Sequence, residues 1–172
     1  MLAALALLFL LAAPAQPPAA REAAESLVRG ARLTSFELTA LSPGRSEGRA
    51  VLAVSNPFAV SIRIVSASCR VTVNGKEIGE GTGHGRTLKA RKKDAGLEIP
   101  FRVGRDLFLA AAGDRWAVGA DVDAQISGSL AIRVGSEQVA APFEFSGRMG
   151  TDGARSGVFS HPGAGGSLSP HL

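Results

Sequence analysis

A few groups of residues in this 172-residue chain have types and spacings that chemistry could use. Gly44-Arg45-Ser46-Glu47-Gly48 spells the G-x-S-x-G of a nucleophile elbow. That motif works only where a strand-to-helix turn lifts the serine above a parallel sheet. Here it follows Ser42-Pro43-Gly44, ordinary turn composition, and stands between two strand-like segments, so a loop is predicted. A general base is hard to find: His161 and His171 lie near the C-terminus, leaving His84 alone in the region that reads as folded. Asp121 and Asp123 alternate onto one face and could in principle hold a cation or share acid–base work. With no further acid close by, they read as a solvated strand face. Cys69 is the only cysteine, which excludes an internal disulfide and a cysteine-based metal cluster. It falls on an inward row and reads as a small buried hydrophobe. No catalytic, metal-binding or cofactor-binding residue is therefore expected.

Two features fit contact better than catalysis. Gly79, Gly81, Gly83 and Gly85 recur at every second residue, a spacing that matches neither the dinucleotide fingerprint nor the P-loop. Alternation places them on one face of a strand, where missing side chains let a backbone or a flat partner approach, so an exposed edge strand is expected. The basic run Arg86, Lys89, Arg91, Lys92 and Lys93 falls in the loop before the next strand. It could touch phospholipid headgroups or an acidic protein, with a salt-sensitive attraction. Gly79, Gly81, Gly83 and the five basic residues form the candidate interaction surface, with client proteins or a membrane as partners and no nucleic acid.

The elements that must carry these residues follow from composition and period. Apolar residues make up 45% and charged residues 20% of the chain, too apolar for disorder throughout and too interrupted for a polytopic membrane protein. Tyrosine is absent and tryptophan occurs once, so base- or sugar-stacking platforms would have to be built almost entirely from the eight Phe, which look like core. Net charge of +4 supports weak anion affinity only.

Strict alternation runs through most of residues 33–148. Val118 to Val134 is the longest case, with Gly128 marking a bend or bulge. Leu97 to Val103 repeats the pattern around Pro100, tolerable where a missing donor faces an edge. Val65 to Val73 ends at Asn74-Gly75, a hairpin signal, and leads into Lys76 to Gly83. Thr34 to Leu41, Ala50 to Asn56 and Ala141 to Ser146 bring the strands to seven. Only Asp106 to Ala112 reads as helix, and residues 16–31, rich in Ala, Glu and Arg, read as a linker or short helix. The expectation is an all-β antiparallel seven-stranded sandwich with one short helix.

At the N-terminus, Leu2 to Ala13 is an unbroken apolar run ending in Ala13-Pro14-Ala15, a signal-peptidase pattern, although no Lys or Arg precedes it. Residues 1–15 are read as an export signal, too short to span a bilayer, and no cysteine follows to carry a lipid. Residues 32–148 form the domain and 149–172, rich in Gly, Ser and Pro, a disordered tail.

Several of these segments carry a resemblance. Leu52-Ala53-Val54-Ser55-Asn56-Pro57-Phe58, Val73-Asn74-Gly75-Lys76-Glu77-Ile78-Gly79-Glu80-Gly81, Leu97-Glu98-Ile99-Pro100-Phe101, Pro142-Phe143 and Ser146-Gly147 are quoted as they stand. Together they resemble the water stress and hypersensitive response (WHy) domain of the group 2 late-embryogenesis-abundant family, over about residues 33–148. The resemblance implies an immunoglobulin- or fibronectin-like sandwich, a non-enzymatic role in desiccation tolerance, and a bacterial member exported to the periplasm or beyond. The family supplies no catalytic residue. The chain departs from it in having Trp116-Ala117-Val118 and no tyrosine. Physically, Pro57 ends a ladder because it lacks a donor, while the Asn56 side chain can bond the local backbone and hold the exit turn.

Overall fold

The computed structural model describes residues 19–42, 45–150 and 159–160. The expected export signal, Pro43-Gly44, His161, His171 and most of the expected tail lie outside the described residues. So does the Trp116 side chain.

The chain is mostly β. Its elements are α1 (Ala20–Arg29), β1 (Arg32–Ser42), β2 (Arg45–Val54), β3 (Ile62–Val73), β4 (Lys76–Leu88), β5 (Ala95–Val103), α2 (Arg105–Ala117), β6 (Val122–Val134), β7 (Glu137–Met149) and the two-residue β8 (Phe159–Ser160). All pairings are antiparallel, and hydrogen bonds join the strands into one curled sheet in the order β1-β2-β5-β4-β3-β6-β7-β8. The seven long strands are those expected from alternation. β5 shows why: Ala95, Leu97, Ile99, Phe101 and Val103 are buried, whereas Gly96, Glu98, Pro100 and Arg102 are exposed.

The sheet curls at the β4–β5 seam, which has only three residue pairs, Gly79↔Val103, Glu80↔Arg102 and Gly81↔Phe101. A Cβ on Gly79, Gly81 or Gly83 would strike the β5 carbonyls of Arg102, Pro100 and Glu98 respectively. The glycine row is thus the corner across which β5 passes, and β4 lies inside the strand order, not at an edge as expected. Beyond Gly81↔Phe101 the β4 flank of β5 is unpaired, and Pro100 sits where a missing donor breaks no β4 bond.

Other expectations need correcting. Gly128 causes no bulge: its pairings to Cys69 and Phe143 are continuous, and a side chain there would collide with the Ser68 carbonyl. The bulge lies instead in β3, where pairing to β6 shifts between Ile64 and Ser66. Inward parity therefore changes, so that Ile62 and Ile64 are buried on one side of the shift and Ala67, Cys69, Val71 and Val73 on the other. Val118 is 78% exposed beyond the end of α2, and the strand begins only at Val122.

Among the described residues there are two helices: the stretch 16–31, read as a linker or short helix, contains α1, in addition to the one helix expected within the domain. In α1 the residues Ala20, Ala23, Ala24, Leu27 and Val28 are buried, a stripe at helical spacing built mainly from alanine. It lies against β6 and β7 and shares one core with both parts of the sheet. α2 kinks at Gly113, whose φ is +60°, and anchors through the fully buried Phe108. The β3–β4 turn is Asn74-Gly75, both at positive φ (47° and 77°), as a two-residue hairpin requires.

Candidate functional site

The basic run sits on a built platform. Asn56 is 1% exposed, and its Nδ2 donates to the carbonyls of Val60 (2.8 Å), Lys89 (3.0 Å) and Leu88 (3.3 Å). Its Oδ1 accepts from the Phe58 N–H at 3.1 Å. The main chain adds Asn56 N–H to the Lys92 carbonyl (2.8 Å) and Arg91 N–H to the Phe58 carbonyl (2.9 Å). The turn after β2, with exposed Pro57 at its exit, is therefore locked to the loop after β4. Within that loop Arg91 and Asp94 take the left-handed region, φ 52° and 47°. The Ser55 hydroxyl accepts from the Asp94 N–H, and Arg32 pairs with the Asp94 carboxylate at 2.7 Å. The loop backbone is thus spent on internal bonds while Lys89, Arg91, Lys92 and Lys93 remain exposed.

Arg86 plays a different part from the one expected. Its guanidinium crosses the open stretch of the β4–β5 seam and donates to the Gly96 carbonyl. It closes the corner and does not belong to the loop. At the same end of the sheet Arg63 stands opposite Arg133 in register, and Arg133 donates to Gln138 at 2.9 Å. Like charges directly opposed across a ladder are unfavourable, so this end concentrates positive potential beyond the loop itself.

The opposite end is tied down in a similar way. Asn74 Nδ2 donates to the Ala111 carbonyl at 2.9 Å, and Asn74 Oδ1 accepts from the Asp123 N–H at 3.2 Å. The hairpin therefore holds α2 and the start of β6.

A second feature is a cleft of about 1220 Å³ on the outer face, floored by Gly48, Cys69, Gly81, Phe101 and Gly128. Its walls follow from register: Glu47↔Arg102, Arg102↔Glu80 and Glu80↔Arg70 form one row of alternating sign across four strands, continued by the neutral Ser127 opposite Arg70. Beside it Arg49 bridges Glu37 and Glu98, 3.0 Å to each. The Ser35 hydroxyl first, and then Arg49, hold the Glu37 carboxyl below its ordinary range.

The chemical candidates do not gather. Ser46 lies in β2, 5% exposed, with no partner for its buried Oγ. Burial pushes the Cys69 thiol up to about 11, which a Gly81 backbone hydrogen bond only partly offsets. Asp123 reaches Arg148 at 3.7 Å and Asp121 is exposed just before β6. His84 is exposed opposite Ser66. Among the described residues no three of His, Cys, Asp and Glu come together as a metal site. Nor is any described helix long and apolar enough to cross a membrane.

A family model described as late embryogenesis abundant protein matches residues 51–147, more than half of the chain. The chain belongs to that late embryogenesis abundant (LEA) family. The matched segment contains the Asn56 clamp, the basic loop and the glycine corner. No curated protein matches the chain. Among solved structures, a protein of Arabidopsis thaliana is similar at 23% identity and TM-score 0.56, covering 70% of this chain and 80% of its own. A protein of Archaeoglobus fulgidus is similar at 17% identity and TM-score 0.53, covering 70% and 98%. These likenesses concern the fold. A third structure, of a protein described as late embryogenesis abundant, aligns at 16% identity and TM-score 0.49 over 70% and 69%.

Sequence reasoning found the basic run of this LEA chain because its residues are nearly consecutive. It missed the alternating charge row and the Arg63–Arg133 pair, which exist only once strands are in register.

Proposed function

We propose that this LEA chain is a non-enzymatic stress-protection protein of the WHy type, exported to the cell envelope, whose basic end rests on acidic surfaces of proteins or membranes and keeps them apart as water is withdrawn. The observation that carries this reading is the Asn56 clamp. It fixes the backbone under Lys89, Arg91, Lys92 and Lys93 while leaving their charges in solvent. A preorganised loop loses little entropy on contact. Four cations at roughly 1 kcal/mol each near an anionic surface give about 4 kcal/mol, a millimolar, reversible and salt-sensitive association. Weak contact of this kind suits a protein that must release its clients on rehydration.

The envelope location rests on the apolar run Leu2–Ala13 and the Ala13-Pro14-Ala15 pattern. The two-layer, immunoglobulin-like description belongs to the same proposal. In support, the three-pair β4–β5 seam divides the sheet into β1-β2-β5 and β4-β3-β6-β7, and one apolar cluster takes residues from both parts. A second reading, an assembly module for an envelope lipid or partner protein, is favoured by the like-charge pairing of Arg63 and Arg133.

The test takes a freeze-labile enzyme through freeze–thaw and drying with the chain, with the triple variant K89E/K92E/K93E, and alone. Protection by the chain that weakens in the variant and at high salt supports the reading. Equal losses in all three tubes remove it. Specific retention on anionic vesicles without any protection of the enzyme favours the assembly module.

A further inference from the structure

An open curled sheet has two outer strands whose unpaired N–H and C=O groups invite a further strand. In this chain the seven long strands end in β1 on one side and β7 on the other. The expectation of a contact edge in the glycine row of β4 failed because β4 is internal, with β5 passing against that row; β1 and β7 are the outermost long strands. Much of β7 is already occupied, since α1 lies beside it and Arg21, Ala24, Glu25 and Val28 share a cleft with Val139–Glu144. The stretch beyond is met by the chain's own C-terminal segment, with Ser146↔Ser160 and Gly147↔Phe159 in antiparallel register. This short β8 also lies close to β1, so it sits in the gap between both ends of the sheet.

We propose that the gap between β7 and β1 is a strand-acceptor slot for an extended, β-prone segment of a partially unfolded protein, and that Phe159–Ser160 is its resident competitor. The identity of this partner rests on the protective reading above; the slot rests on the sheet topology. Recognition through an edge is mainly main-chain hydrogen bonding, tolerant of sequence, which suits the varied segments that denaturing clients expose. The resident strand pairs through two residues only, and nine residues separate Met149 from Phe159. A tether of that length supplies a local concentration on the order of millimolar, enough to keep a weak strand in place against dilute competitors. A longer segment can also pair along β1, whose outer flank carries no strand pairing other than its approach to β8 among the described residues. As clients become concentrated during water loss, the balance moves from the tail to the client. The same seating covers the Ser146–Gly147 stretch of the β7 edge when no client is present.

The experiment uses the full chain and the full chain carrying F159P and S160P, which removes whichever of the two adjacent N–H groups faces β7. Hydrogen exchange is followed at Ser146 and Gly147. Binding of a fluorescent peptide with the sequence of residues 156–163 is followed by anisotropy, with an unrelated alternating Val/Thr octapeptide as competitor. The expected result is exchange at least about tenfold faster in the variant at whichever of the neighbouring Ser146 and Gly147 N–H groups turns toward β8, with the other, which turns toward β6, and the melting temperature unchanged. The labelled peptide should bind the variant at least about tenfold tighter than the unmodified chain, restore the protection, and be displaced by the octapeptide. Unchanged exchange in the variant, or equal peptide binding by both proteins, overturns the proposal. Binding to the slot without protection of a client enzyme sustains the slot and removes the protective reading; protection without peptide binding does the reverse.

Discussion

Replacing Asn56 by alanine tests whether the clamp is what holds the platform together. The amide makes three donor contacts, of which the one to Leu88 at 3.3 Å is the weakest, and accepts one from Phe58. The site is 1% exposed, so water cannot replace what is lost. At a net ~1 kcal/mol per hydrogen bond, with two strong donors, one acceptor and a small cavity, Asn56→Ala should cost about 3 kcal/mol. That is a large part of the roughly 5–15 kcal/mol that stabilises a domain, and corresponds to a fall in melting temperature on the order of 10 °C. Thermal and urea unfolding followed by circular dichroism measure it, with an unchanged urea slope showing that the fold itself persists. Asn56→Asp is the sharper variant. A carboxylate keeps the acceptor for Phe58 but turns negative charge toward three carbonyls, which raises its pKa in the folded state. The sign is then fixed: the folded form favours the protonated acid, so N56D should be less stable than N56A near neutrality and recover as pH falls toward about 4. A cost for N56A below about 0.5 kcal/mol, or N56D equal to N56A at every pH, would refute the clamp argument.

Ser46→Ala removes a buried hydroxyl that has no partner, so stability should stay level or rise by up to about 1 kcal/mol in the same unfolding assay, the opposite of what a bonded serine would show. Cys69 has a folded-state pKa of about 11 against 9.0 unperturbed, so its contribution is fully present below pH 9 and lost as pH rises toward 11. Urea unfolding across that interval should show a decline on the order of 2 kcal/mol that is flattened in C69A; parallel profiles would remove the desolvation argument.

The strands were legible because alternation is written locally. Ala95–Val103 reads inward and outward from its own residues, and Asn74-Gly75 announces a hairpin without any knowledge of what packs beneath it. The first helix was only half legible, residues 16–31 reading as a linker or short helix, for an equally local reason. Its stripe at 20, 23, 24, 27 and 28 has the helical period but is mostly alanine, whose small side chain marks a buried face weakly. The curl was hidden in a different way. Gly79, Gly81 and Gly83 announce a close approach, but whether a ligand, a partner or the chain's own β5 makes it depends on strand order, which is a non-local property. The flip of face at Val65 is similar, because a bulge is a relation between β3 and β6 rather than a property of β3.

The same distinction explains the site. That Asn56 would bond nearby backbone followed from its residue type; that two of its acceptors lie at positions 88 and 89 followed only from the fold. Ser46 and Asn56 are the buried polar residues among those described, and the latter is used up in holding turns. Charge lies on the outside, as a row of alternating sign in register across adjacent strands and as an unbalanced cluster at one end. A desolvated polar constellation would favour strong, selective binding of one small molecule. Exposed charges on a rigid frame favour many weak contacts that salt can dissolve. Drying raises salt and protein concentration together. If the chain protects clients as proposed, the balance between the two should make that protection depend on ionic strength, and a client guarded equally well at low and high salt would place the contact away from the basic end.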